Sequence, residues 1–103
     1  MIKRDPVLSL AKALSDENRL VLLREIAGQE EISCADLLAR NSLSQPTVSH
    51  HVKILVEAGL VVVRREGQRA FFRLNREHLT ECLEACAEIV RERQGKGSIV
   101  EER

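Results

Sequence analysis

One stretch constrains everything around it: Ser44 to Gly59, SQPTVSHHVKILVEAG. It reads as a single helix with both ends marked. Ser44 is an N-cap residue, and Pro46 falls in the first turn, where a missing N–H costs nothing. Gly59 is a left-handed stop, with Leu60 behind it to fold back onto the last turn. Val48, Val52, Leu55 and Val56 recur at helical spacing and form the stripe to be buried. The opposite face carries Pro46, Ser49, His50, Lys53 and Glu57, with Gln45 and Thr47 near the N-terminal end. The first two turns of that outer face hold no carboxylate. They hold hydroxyls, an amide and imidazole, the groups that read base edges and phosphates, on a helix end that itself favours phosphate. A merely solvated helix face is the alternative reading, and the neighbouring segments decide between the two.

Just before it, Ser33 and Asp36 form a capping box that opens a short helix, packed by Ala35, Leu37 and Leu38 and stopped at Asn41. Only Ser42 and Leu43 separate the two helices, which is the helix-turn-helix pattern. After Gly59 the period changes from 3.6 to 2. LVVVRRE and RAFFRL are strand-like runs joined by Gly67-Gln68, a hairpin that carries Arg64, Arg65, Arg69 and Arg73. A basic hairpin after such a helix reads as a wing. Its alternative is a small sheet with a solvated charged face.

Upstream, residues 6–14 predict a first helix with Val7, Leu10, Ala11 and Leu14 on one face and Pro6 at its start. Ser15 is the expected cap of a second helix, with Asp16 and Glu17 in its first turn and Leu20, Leu23, Ile26 and Ala27 inward. Gly28 ends it, and residues 29–32 are a connector. Downstream, Asn75 caps a last helix from Arg76 to about Gln94. One side is acidic; the other holds Leu79, Cys82, Leu83, Cys86, Ile89 and Val90. That acidic side would be repelled by nucleic acid, so the helix should point away from it.

The chain has 103 residues and no net charge, so one domain is expected, residues 1–94, with 95–103 a flexible tail. A lone domain of this size buries only about 60–65% of its unfolded surface. The apolar stripe of the last helix exceeds what one small domain needs and, with the first helix, could pair two chains as a homodimer. The zero net charge is unevenly placed. Residues 1–39 carry five basic and seven acidic groups, residues 77–103 carry four and seven, and residues 40–76 carry seven basic against two acidic. The positive charge is thus concentrated on the Ser44–Gly59 helix and the hairpin, as phosphate binding requires.

Nothing approaches a membrane span, the N-terminus does not read as a signal peptide, and a cytoplasmic location is expected. The three cysteines, 34, 82 and 86, make no disulfide framework. Cys82 and Cys86 are one turn apart on one face, with His78 one turn earlier. Thiolates suit soft ions. Packing is the other reading, since cysteine on an apolar stripe often serves as a small hydrophobe. Cys34 opens the third helix and joins that set only if the fold brings it near the last helix. A thiol redox switch is the rival chemistry, and Cys82 and Cys86 within one helix would strain a disulfide. His50 and His51 are adjacent, so they point in different directions. His50 is assigned to DNA and His51 to packing on the helix flank. No catalytic constellation or phosphate loop is present, so an enzyme with a small-molecule substrate is not expected.

Taken in this order, ALSDENRLVLLREI, SQPTVSHHVKILVEAGLV and an arginine-rich hairpin closed by FFRLN resemble the ArsR/SmtB family of bacterial winged-helix repressors, over about residues 5–93. The resemblance implies a mainly α fold with a β-hairpin wing, in the order α-α-α-α-β-β-α, and a dimer. It implies binding to an inverted-repeat operator in double-stranded DNA and release by an inducer. Family DNA contacts fall on Gln45, Ser49 and His50, with wing contacts among Arg65, Gln68 and Arg69. The full expected set is Ser44, Gln45, Thr47, Ser49, His50, Lys53, Arg64, Arg65, Gln68 and Arg69. Many members sense arsenite or metals such as Zn or Cd. The Cys-x-Cys-x-x-Cys pattern of one arsenic-sensing class is absent from SCADLL, so As(III) or a soft divalent ion would fall on Cys82 and Cys86, with Cys34 and His78 as further candidates. A redox-responsive repressor of the same fold, or a winged-helix protein-interaction module without inducer, are the alternatives.

Overall fold

A computed structural model describes residues 5–92; the expected tail, 95–103, and the end of the last helix at Gln94 lie outside the described residues. Its elements are α1 (Pro6–Ala13), α2 (Glu17–Ala27), β1 (Ile32–Ser33), α3 (Cys34–Ala39), α4 (Gln45–Glu57), β2 (Val61–Glu66), β3 (Arg69–Leu74) and α5 (Arg76–Arg91). The mainly α winged helix-turn-helix order is therefore present, with one addition. The expected connector contains β1, which pairs antiparallel with β3, Ile32 opposite Phe72, giving a sheet of order β1-β3-β2.

Each helix starts on a side-chain acceptor. Asp5 Oδ1 accepts from Val7 N at 2.8 Å, Ser33 Oγ from Asp36 N at 3.0 Å, and Asn75 Oδ1 from His78 N at 3.1 Å. Such a cap is worth about 1 kcal/mol. At α2 the cap is Asp16, not Ser15: Asp16 Oδ1 accepts from Arg19 N at 3.1 Å, while Ser15 Oγ turns back and donates to Lys12 O at 2.9 Å. That bond from Arg19 is the chief reason the Asp16 carboxyl sits below its ordinary range. At the end of α3, Asn41 Nδ2 donates to Leu37 O at 2.7 Å and to Glu25 Oε1 at 2.9 Å. The stop at Asn41 thus combines side-chain bonds with its backbone N donating to Leu38 O at 3.1 Å.

The core is aliphatic. Leu22, Ile26, Leu37, Leu55 and Leu60 are completely buried, joined by Val48, Val52, Val61, Phe72 and Leu74. Two faces differ from expectation. On α1, Ser9, Leu10 and Ala13 are buried, whereas Ala11 is exposed and Leu14 keeps 36% of its surface exposed; the helix ends at Ala13 and its chain turns toward α2. On α2, Leu22 is fully buried and Leu20 only half.

The exit from α4 is a Schellman turn: Leu60 N donates to Leu55 O at 3.0 Å and Gly59 N to Val56 O at 2.9 Å. Gly59 has φ +81°, a conformation that glycine adopts at little cost. The space matters as well, because a Cβ at Gly59 would lie 2.8 Å from Cδ2 of His78. Asn75 N then donates to Leu60 O at 2.8 Å, tying the start of α5 to the end of α4.

Candidate nucleic-acid interface

Helix α4 packs its Val48, His51, Val52 and Leu55 side inward. Gln45, Pro46, Ser49, His50, Lys53 and Glu57 are exposed along the other side, and Thr47 is half-buried. At the N-terminus, Ser44 Oγ accepts from Thr47 N at 3.3 Å and donates to Thr47 Oγ1 at 2.9 Å. These hydroxyls are therefore partly spent on holding the first turn.

The hairpin register pairs Glu66 with Arg69 across a two-residue turn, in which Gly67 has φ +61°. Strand alternation then divides the arginines. Val61, Val63 and Arg65 share one face with Ala70, Phe72 and Leu74, and that face meets α4. Arg65, Gln68 and Arg69 line a cleft of about 390 Å³ together with Gln45, Ser49 and Cys34. A second cleft of about 450 Å³, lined by Val52, Lys53, Val56, Val63 and Arg65, continues along α4.

Arg64 departs from the expected set. It faces the other side of the hairpin, where its Nε and Nη2 donate to Glu31 at 2.9 and 2.8 Å and Nη1 lies 3.6 Å from Glu66. Its guanidinium also lies 4.4 Å from the centre of the Phe71 ring, with that of Arg69 at 5.0 Å. The forked bond raises the Arg64 pKa and holds the Glu31 carboxyl below its ordinary value. Arg64 anchors the root of the wing to the segment before β1; Arg65 is the arginine whose strand face meets α4, while Arg69 shares Arg64's strand face, lies over Phe71 beside it, and reaches the cleft from the hairpin tip. The signal that separates them was available in the sequence: neighbours on a strand point to opposite faces.

On α5, Cys82 is completely buried, and Cys86 is half-buried one turn on. Burial, reinforced by Cys86 and Glu81, pushes the Cys82 thiol up. His78 is engaged: Nε2 lies 3.1 Å from Ala58 O and Nδ1 3.3 Å from Glu81 Oε1, with Cys82 Sγ 3.7 Å from Nε2. Cys34 is half-buried and lines the clefts beside α4 and the wing. Among the described residues, no three His, Cys, Asp or Glu side chains converge on a metal-sized point. One chain thus offers a pair of thiols at α5, fewer donors than the four that complete a tetrahedral soft-metal site. Also among the described residues, no helix is long and apolar enough to cross a membrane.

A recognition helix in a helix-turn-helix, followed by a basic hairpin, defines a winged helix-turn-helix protein. A helix-turn-helix domain family model matches residues 14–64. The chain is 42% identical over 71 residues to an arsenical resistance operon repressor of Staphylococcus xylosus, covering 69% of this chain and 67% of that protein. It is 38% identical over 76 residues to the repressor of the same name from Staphylococcus aureus, covering 74% and 72%. An ArsR-like transcriptional regulator from Rhodococcus sp. RHA1 superposes with a TM-score of 0.79 at 25% identity, covering 88% of this chain and 85% of that one. The chain belongs to the ArsR/SmtB family of winged helix-turn-helix regulators. It is a DNA-binding transcriptional repressor and not an enzyme.

Proposed function

We propose that the protein acts in the cytoplasm as a homodimer that binds an inverted-repeat operator and leaves it when a thiophilic ion binds. The observation that carries the DNA half is the surface that Gln45, Ser49 and Lys53 on α4 share with Arg65, Gln68 and Arg69 on the wing, with His50 exposed on the same helix. The reading helix enters the major groove, and the wing cations hold phosphates or the adjacent minor groove. Pairing would use α5 and the α1 beside it: Leu83, Ile89, Val90 and Leu8 are 53%, 58%, 71% and 68% exposed, too much apolar surface to leave to water.

The inducer reading rests on Cys82 and Cys86. Two chains meeting along α5 would bring two such pairs to one seam, enough sulfur for As(III) or for a soft ion such as Zn(II) or Cd(II). The name of the two staphylococcal relatives, arsenical resistance operon repressor, supports an ion of that class. His78 would have to leave the Ala58 carbonyl to join it, and Cys34 lines the clefts beside α4 and the wing rather than α5. The test is binding to the protein's own promoter fragment, repeated with arsenite, a panel of metals and an oxidant. Release by arsenite or a soft metal is expected from the wild type and not from a Cys82→Ser/Cys86→Ser variant. Release that persists in the variant excludes this site, and release by the oxidant alone assigns the thiols to redox sensing.

A further inference from the structure

Behind the reading face lies a buried charge that the function above does not use. Arg19 of α2 is only 7% exposed, as is His51 of α4. Its guanidinium spends all three nitrogens. Nε donates to Ala13 O at 2.9 Å, Nη2 to Lys12 O at 3.1 Å and to Ser15 Oγ at 3.3 Å, and Nη1 reaches His51 Nδ1 at 3.0 Å. Among the described residues it has no carboxylate within ion-pair distance; the carbonyl end of α1, the negative end of that helix, offsets its charge instead. A guanidinium only donates, so His51 Nδ1 accepts, the ring is neutral, and its proton sits on Nε2, which lies 3.8 Å from Asp16 Oδ1.

We propose that Arg19 is the positioning residue that sets the rotation of the recognition helix relative to α1, acting through His51. It rests on the DNA-binding reading and deepens it. His51 projects from the back of α4 directly after His50, which projects from the front. Outer side-chain atoms lie about 5–6 Å from a helix axis, so a rotation of about 20° displaces them by about 2 Å. Hydrogen bonds to base edges tolerate only a few tenths of an ångström. The aliphatic contacts on the buried side of α4 are non-directional and by themselves leave small rotations of the helix cheap. A planar fork bonded on three sides does not. Because α1 packs against α5, the same fork carries the geometry of the pairing surface to the reading face. Lysine, a single point charge, cannot make the set.

The test uses 40-bp duplexes enriched from a random library by the wild-type protein, with a scrambled duplex as reference. Dissociation constants for both are measured by fluorescence anisotropy, with thermal unfolding in parallel. Arg19→Lys and His51→Leu should lower the preference for the selected duplex at least tenfold while leaving affinity for the scrambled one within about twofold. His51→Asn, which places an acceptor oxygen near the Nδ1 position, should recover the preference to within about threefold. A folded His51→Leu that keeps the wild-type preference overturns the proposal, as does a His51→Asn that behaves like His51→Leu. Should Arg19→Lys not fold, the two His51 variants decide. A wild type that enriches no duplex brings down the DNA-binding reading itself, a result distinct from variants that discriminate as well as the wild type.

Discussion

Helices α4 and α5 are both amphipathic, 13 and 16 residues long, and they spend their apolar sides differently. Helix α4 buries four residues inside the chain, whereas α5 buries only Cys82 completely and leaves Leu83, Ile89 and Val90 in the open. On α4 the packing is already satisfied, so what remains for a partner is the polar side. On α5 the packing is unfinished, so what remains is apolar. Where a helix keeps its unsatisfied groups limits what kind of surface suits it: under the proposed function, a hydrated duplex for one and a second protein chain for the other.

The sharpest way to break this contrast is truncation on each helix. Leu55→Ala, at a completely buried site, should cost about 2–5 kcal/mol in urea unfolding; a much smaller loss would mean that α4 is not held by its stripe. A Leu83→Glu/Val90→Glu variant should keep its fold but associate more than tenfold less tightly by sedimentation equilibrium, since each buried aliphatic side chain contributes about 1.5–3 kcal/mol. Unchanged association would remove α5 from the pairing surface. Ser44→Ala, which deletes the cap of α4, should cost about 1 kcal/mol, read from the same urea curves. Arg65→Ala should lower the slope of log affinity against log salt by about one, and Arg64→Ala should leave that slope unchanged. Equal slopes for the two would mean that the faces of the wing are not distinct. The smallest effect is chemical. Because burial pushes the Cys82 thiol up and covers its sulfur, it stays protonated at neutral pH. The half-buried Cys34 and Cys86 should alkylate first, with Cys82 labelling later and faster as pH rises, read by mass spectrometry of the labelled peptides.

The local rules carried well where a segment decides its own structure. Caps at Ser33, Ser44 and Asn75, the stop at Gly59 and the two-residue turn at Gly67-Gln68 are contained in a few adjacent residues. They fail where two local options compete: Ser15 and Asp16 are both good caps, and only the pull of the Lys12 carbonyl on Ser15 decides between them. They also fail where a partner is distant. Two residues, Ile32 and Ser33, are too short to show a period, and become a strand only because β3 lies alongside. Arg19 looks like a solvated charge on a helix until α1's carbonyls and His51 close over it. Arg64 is paired off by a glutamate 33 positions earlier. The division of α4 into a buried and an exposed side was legible because it depends on helical spacing alone. The division of the wing arginines required the alternation rule to be applied to each residue.

Gly59 has a consequence for how such a chain can change. The hydrogen where a side chain would begin is what lets the imidazole of His78 lie flat against the helix exit, close enough for its Nε2 to meet the Ala58 carbonyl. Positions 59 and 78 therefore cannot drift independently. A relative bearing any larger residue at the first must surrender the ring at the second, and with it the bolt that joins its fourth helix to its fifth.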